Sequence, residues 1–276
     1  MKVGIIGLGL MGGSLALSLK KLPFVNEIIG NDHNKEHQKQ ALELSLVKRI
    51  VEFEEIKRCD VIFLAVPVDG IISIINQLTD ISPYATVIDF GSTKEKIVKS
   101  IPPQIRANVV AAHPMTGTEF FGPYAAVENL YKDSVVVLCD LQESGIRQKE
   151  TAIRLFEGLE MKISYMHAHE HDRHTAFISH MPHAISYSLA NTVIQQENRE
   201  DILTLAAGGF RSMSRLAKSS PAMWEDVFKQ NRENVLEAIE LFEKELRIFK
   251  NHIKDQNWKE LHKDMQDANT LYNIFS

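Results

Sequence analysis

Residues Val3–Ser14 read VGIIGLGLMGGS. An apolar, β-type run over Val3–Ile6 stops at a glycine, and helical apolar spacing resumes over Met11–Lys20. Between them lies Gly7-Leu8-Gly9-Leu10-Met11-Gly12. In a strand-turn-helix unit, Gly7 permits the tight turn, Gly9 lets the backbone approach a pyrophosphate, and Gly12 lets helix and strand pack closely. The helix N-terminus, beginning near Leu10 and Met11, then offers N–H groups to phosphates. A glycine triplet by itself is a weak signal, and a ligand-free βα turn is the alternative reading. The strand before and the helix after make it a dinucleotide-binding fingerprint. Asp32 follows the second apolar run, Glu27–Gly30, at the distance where a carboxylate accepts hydrogen bonds from a ribose diol. That carboxylate repels a 2′-phosphate, and no Lys or Arg follows before Lys35, which favours NAD over NADP.

Outward from this unit, β-type runs alternate with helical ones. Strands are predicted at Val61–Val66, Thr86–Phe90, Val109–Ala112, Ser134–Leu138 and Lys162–Tyr165, and helices at Lys35–Leu46, Ile71–Leu78, Lys94–Ser100 and Gln148–Leu159. This pattern means βαβ units and a mostly parallel sheet, an N-terminal Rossmann domain. Ligands of such sheets bind beyond the C-terminal strand ends. Val66 and Pro67 end one strand and should shape the cofactor wall. Ser92 follows another, and His113 ends a third. A neutral histidine beside a nicotinamide suits removal of an O–H proton, and a neighbouring serine can orient it. For Ser92, an N-cap of the following helix is an equal alternative. For His113 the alternative is a turn residue.

After about residue 166 strand-like runs cease. The boundary is expected near 165, giving a cofactor domain over 1–165 and an all-α domain over 166–276. Helical spacing covers Phe177–Ile194, with a kink at Pro182, then Met223–Asn251 as one long helix after Ser220-Pro221, and Trp258–Tyr272. Leu236, Ile239, Leu241, Phe242, Leu246 and Phe249 are more apolar surface than a small helical domain can bury, so a homodimer through this domain is expected. Six of the eleven histidines fall within His167–His183, without the spacing of a metalloprotease motif, and no metal is expected. His180 and His183 share one face of an apolar helix. Arg211 and Arg215 lie at i, i+4 after Gly208-Gly209, where one can grip a carboxylate or both can be solvated.

Composition narrows the rest. The chain has 276 residues, 44% hydrophobic and 24% charged, with a net charge of −5. That balance argues against non-specific nucleic-acid binding. No apolar run approaches the roughly 18–20 residues of a membrane span. The N-terminal apolar run is broken by glycines and has no signal cleavage site. Cys59 and Cys139 form no ligand or disulfide pattern, so a reducing, cytoplasmic location is expected.

Taken together, GLGLMGGS, LAVPV, DFGSTK, HPMTGTE, SHMPHAISYSLA and GGFRSMSRLAKSSPAMW resemble the prephenate dehydrogenase family of tyrosine biosynthesis over essentially the whole chain. The resemblance implies a Rossmann domain followed by a helical domain through which two chains pair. It implies oxidative decarboxylation of prephenate with NAD, with arogenate as the alternative substrate. His113 matches the family's catalytic histidine and Ser92 the serine beside it. Arg215 matches the arginine that binds the ring carboxylate. His183, with His180 near it, Gly208 and Trp224 match pocket residues, and Glu119 an acidic residue that gates the pocket. Many members carry Asp where this chain has Ser212, so a smaller ionic network around Arg215 is expected. The chain's end soon after its last helix is expected to leave no room for a fused mutase or regulatory domain. Outside the enzymes, a non-catalytic NAD-binding sensor would need the glycine loop but not Ser92, His113 and Arg215 together.

Overall fold

The computed structural model describes residues 1–196 and 198–274. The opening run forms β1 (Lys2–Ile6), and the chain turns at Gly7, φ +92°, into α1 (Leu10–Leu19). A Cβ on Gly7 would lie 2.3 Å from the Ala65 carbonyl oxygen, and one on Gly12 would lie 1.8 Å from the Gly7 oxygen. Both contacts are with backbone, so neither position accepts a side chain without moving the turn. The alternation continues through β2 (Glu27–Asn31), α2 (Lys35–Glu43), α3 (Phe53–Ile56), β3 (Val61–Leu64), α4 (Val68–Ile75), β4 (Thr86–Asp89) and α5 (Glu95–Lys99). It ends with β5 (Val109–Pro114), β6 (Val135–Cys139), α6 (Ile146–Gly158) and β7 (Lys162–Met166). The fifth strand reaches past its predicted end at Ala112 and includes His113.

The strands form one seven-stranded sheet in the order β2-β1-β3-β4-β5-β6-β7. All neighbours are parallel except β5 and β6. Both faces are covered, which is why β3 and β4 are buried at every residue. Leu15 and Leu19 of α1 and Leu155 and Phe156 of α6 pack with Val3, Ile5, Phe63 and Ile88 on one side. Ile71, Ile75 and Ile97 pack with Ile6, Ile62, Leu64 and Val87 on the other.

Helices follow β7: α7 (Ala168–Thr175), α8 (Met181–Ile194), α9 (Arg199–Thr204), α10 (Gly208–Ser214), α11 (Pro221–Gln230), α12 (Arg232–Lys254) and α13 (Trp258–Asn269). The kink expected at Pro182 is a π-helical turn over Ala176–His180 between α7 and α8. Pro182 has no N–H to give to the Ile178 carbonyl, and the wide turn absorbs the missing bond. The long helix expected over Met223–Asn251 is corrected. It breaks into α11 and α12 at Asn231, φ −112° and ψ 31°. Apolar spacing runs on through the break, but the buried Asn231 amide is drawn into tertiary hydrogen bonds that a continuous helix does not supply.

Met1–Arg232 and Glu233–Ser276 form two compact units. Strands end near the expected boundary, but the helices from α7 to α11 belong to the same unit as the sheet. In the second unit His252 Nε2 of α12 lies 3.3 Å from Asp264 Oδ2 of α13. Leu236, Leu241, Leu246 and Phe249 are exposed along α12. Among the described residues no helix is long and apolar enough to cross a membrane.

Candidate active site

The order of connection reverses between β1 and β3, and sheets of this kind bind their ligands beyond the carboxyl ends of the strands at such a point. Asp32, just past β2, is 6% exposed. Its Oδ2 accepts from the Leu8 N–H at 2.8 Å and its Oδ1 from the Asn34 N–H at 2.8 Å. The carboxylate thus holds the glycine loop in place, and the ring Nδ1 atoms of His33 and His37 each lie 3.5 Å from it. A cavity of about 590 Å³ beside it is lined by Asn31, His33, Lys35, Gln38 and Val51 among others. The first turn of α1 has no side-chain cap and no acidic residue. A Cβ on Gly9 would meet nothing within 4 Å, so the space above this glycine is an open cradle. Leu10 is buried and Met11 half-buried at the start of the helix. Val66 is half-buried against Gly7, and Pro67 opens α4. These features fit a dinucleotide: N–H donors at a helix start, a loop that admits phosphate, and a carboxylate at the ribose distance.

Farther along the same edge, His113 lies half-buried one residue before the end of β5. Its Nδ1 lies 2.7 Å from Nε2 of His171, and His171 Nδ1 lies 2.8 Å from Asp172 Oδ1. Asp172 also accepts the Lys94 N–H at 2.7 Å and the Glu95 N–H at 2.9 Å. It therefore caps α5 from a different element. That settles the alternative raised for Ser92: the cap of this helix is Asp172, and Ser92 sits half-buried in the loop before it. The orienting contact expected from Ser92 is taken at Nδ1 by His171. Beneath, the fully buried Lys94 ammonium bonds Asp89 Oδ1 and the Ala112 carbonyl, the latter at 2.7 Å. Burial, with His171 and Lys94 nearby, pushes the His113 imidazole well below its ordinary value, so it is neutral at neutral pH.

His180 and His183 converge on Trp224 of α11, His183 stacked at 3.5 Å between ring centroids and His180 edge-on at 5.9 Å. Their environments differ. His180 is 1% exposed, 3.1 Å from the Asn231 amide, and burial holds it at about 4. His183 is half-buried, with Nδ1 2.9 Å from the Ser179 carbonyl, and is lowered mainly by burial. Trp224 Nε1 is buried with no hydrogen-bond partner among the described residues. Arg215 opens a 3₁₀ turn after α10, and α8 pins that turn: Ala217 N–H donates to Ser186 Oγ at 3.0 Å and the Tyr187 hydroxyl to the Ser219 carbonyl at 2.7 Å. Arg215 reaches Glu119, on the loop after β5, at 3.4 Å. Arg211 is turned back onto the Ala206 carbonyl at 3.2 Å. Gly208 opens α10 with empty space where a Cβ would stand.

Lys94, Asp89, His171, Asp172 and Asn231 were not singled out by sequence reasoning. DFGSTK carries both members of the buried ion pair, but only the fold shows that Lys94 turns inward. His171-Asp172 was one pair among many polar residues at a helix start.

A mostly parallel sheet with a glycine cradle at its switch point and a neutral histidine farther along the same edge defines a nicotinamide-dependent dehydrogenase. Comparison with known proteins narrows the class. Residues 15–165 match the prephenate dehydrogenase nucleotide-binding domain, and residues 167–267 the prephenate dehydrogenase dimerization domain. The chain is 30% identical to prephenate dehydrogenase of Bacillus subtilis over 98% of its own length and 72% of that protein. Its structure is similar to that of prephenate dehydrogenase from A. aeolicus in complex with hydroxyphenyl propionate and NAD+, with TM-score 0.92, 32% identity, and 100% and 98% of the two chains covered. It is also similar to Synechocystis arogenate dehydrogenase, with TM-score 0.82, 27% identity and both chains covered in full. The chain belongs to the prephenate dehydrogenase family.

Proposed function

We propose that the protein catalyses NAD-dependent oxidative decarboxylation of prephenate to 4-hydroxyphenylpyruvate and carbon dioxide. The observation that carries this reading is a neutral His113 on the sheet edge that bears the glycine cradle, with the loop that follows its strand carrying Glu119 to Arg215. Bound NAD supplies the two-electron acceptor for the ring C4–H. His113 takes the proton of the C4 hydroxyl as ketone character develops, and its lowered basicity keeps it ready as a base at neutral pH. Ser92 holds the reacting hydroxyl beside it. Arg215 pairs the ring carboxylate, displacing Glu119, and fixes the ring until that carboxylate leaves as carbon dioxide. The His183–Trp224 stack and the open space at Gly208 form the pocket walls, with His180 supporting them from the core. Because the product ring is aromatic, positioning does most of the work and no unusually strong base is needed.

In this reading residues 1–165 bind the cofactor, and residues 166–276 supply the substrate side and pair two copies through the exposed apolar face of α12. The buried, free thiols of Cys59 and Cys139 suit a reducing, cytoplasmic compartment.

Arogenate is the second reading, favoured by the likeness to the Synechocystis enzyme. Initial rates with prephenate and arogenate, each with NAD and NADP, test the assignment. Prephenate with NAD is expected to give the highest kcat/KM. A preference for arogenate moves the assignment to that substrate, and no turnover with either leaves a binding module.

A further inference from the structure

We propose that His171 and Asp172 form a positioning dyad that fixes the proton of His113 on Nδ1 and leaves Nε2 bare as the proton acceptor. The inference deepens the functional reading and rests on His113 being the acceptor.

The argument is a chain of donors and acceptors. The Asp172 carboxylate faces three N–H groups: the backbone of Lys94 at 2.7 Å, the backbone of Glu95 at 2.9 Å and the His171 ring at 2.8 Å. An ionised carboxylate has only acceptors to offer, so His171 Nδ1 must carry hydrogen. A neutral imidazole holds one N–H, so His171 Nε2 is bare and can only accept. The atom 2.7 Å from it, His113 Nδ1, must then donate. His113 Nε2 is left without hydrogen, as a base requires. Neither histidine has a second tautomer that keeps both contacts.

The dyad is rigidly placed. His171 is 1% and Asp172 2% exposed. Thr175 Oγ1 bonds the His171 carbonyl at 2.9 Å, and Asn231 donates to the Asp172 carbonyl at 2.6 Å. Asp172 also ties the dyad to the start of α5, immediately after the loop that holds Ser92. One carboxylate thus sets the His113 tautomer and the Ser92 loop together. When Nε2 takes the substrate's proton, the cation formed shares its Nδ1–H with His171, beside the Asp172 charge, which offsets part of the cost of charging a buried ring.

Two-bond ¹H–¹⁵N correlation spectra of the ¹⁵N-histidine-labelled protein at neutral pH read the tautomers directly, with His113 and His171 signals assigned by the His113→Asn and His171→Asn variants. Nδ1–H patterns for both are expected, and an Nε2–H pattern for His113 overturns the dyad. Asp172→Asn keeps an oxygen for α5 but can turn an N–H toward His171. That flips His171, and through it His113, to the wrong tautomer. Loss of kcat by about 10²–10⁴-fold is expected, as when a buried triad aspartate is amidated, with KM for prephenate within about threefold. Unchanged kcat in a folded Asp172→Asn protein also overturns the dyad, and if that variant does not fold the wild-type spectrum decides. Wild-type turnover in His113→Asn would instead sink the proton-acceptor reading, on which the spectrum does not depend.

Discussion

The Asn231 amide nitrogen lies 3.1 Å from Nδ1 of His180 and also donates to the Asp172 carbonyl at 2.6 Å. One side chain, at the break between α11 and α12, thereby holds the π-turn histidine and the end of α7 together. Asn231→Leu keeps the volume and removes both donors; the Asp172 carbonyl keeps the Ala176 N–H and the Thr175 hydroxyl, but the buried His180 ring nitrogen is left unsatisfied. A loss of about 1–3 kcal/mol for the orphaned group is expected. Urea denaturation measures it, and a loss below about 0.5 kcal/mol would show that the break is held by something else.

Acid should destabilise the fold through the same cluster. Burial holds His180 at about 4, whereas in the unfolded chain it titrates at its ordinary value of 6.5. Between these values the unfolded state binds a proton that the native state refuses. Stability is therefore full above pH 6.5 and falls as pH drops toward 4, by about 3 kcal/mol from this residue. His113 and His171 are shifted in the same direction by burial and add to the loss. The acid limb of kcat is likewise expected below pH 6.5, since His113 faces His171, Lys94 and His180, all of which oppose its charging. Denaturation curves that do not change between pH 7.5 and 4.5 would contradict a neutral histidine cluster.

Two glycines of one loop should fail in different ways. A Cβ on Gly12 meets the Gly7 oxygen at 1.8 Å, so Gly12→Ala must move backbone and should cost about 1–3 kcal/mol or more. A Cβ on Gly9 meets nothing within 4 Å. Gly9→Ala should therefore keep its Tm and weaken NAD binding by about tenfold or more, by filling the space the pyrophosphate needs. Calorimetry for Tm and NAD titration for Kd separate the two effects. Equal NAD affinity in folded Gly9→Ala would show that the cradle is not used.

Asp32 has a structural share in this loop as well as a ribose to hold. Asp32→Asn keeps the shape but loses the charge that excludes a 2′-phosphate. The ratio of kcat/KM for NAD over NADP should narrow, chiefly through KM for NADP. Because Asn offers one acceptor where Leu8 and Asn34 use two, a smaller fall in Tm should accompany it. An unchanged cofactor ratio would assign discrimination to other residues, Lys35 and His33 first among those lining the cavity.

Local chemistry was legible in the sequence, and long-range chemistry was not. The turn at Gly7, the open space at Gly9 and the close packing at Gly12 were legible because all three lie within one βα unit. His113 was legible because a strand end fixes where its residue stands. His171 is not, since its partners lie 58 residues away at His113 and, through Asp172, 78 residues away at Lys94. Asn231 broke a helix whose apolar spacing gave no warning, because the competing hydrogen bonds come from another helix and a π turn. His180 and His183 were rightly placed on one side. Only packing separates the core member bonded to Asn231 from the half-buried one stacked on Trp224.

Arg215 gives the sharpest test of the substrate side. Its turn is fixed by Ser186 and Tyr187, and its guanidinium rests 3.4 Å from Glu119, the carboxylate that the proposed reaction exchanges for the substrate's. Arg211, four residues earlier, is spent on the Ala206 carbonyl. Arg215→Ala leaves the ring carboxylate of prephenate unpaired as it is buried, at a cost of about 2–5 kcal/mol, so KM should rise by well over tenfold. If the contact is equally strong in ground and transition states, kcat should change far less. Arg211→Ala should alter KM by no more than about threefold, since only a backbone contact is lost. NAD affinity should hold in both, because neither arginine belongs to the glycine loop or lines the cavity beside Asp32. Steady-state kinetics with each substrate varied, and NAD titration, give all of these quantities. A large rise in KM for Arg211→Ala with none for Arg215→Ala would place the carboxylate one helical turn away and overturn the reading of this site.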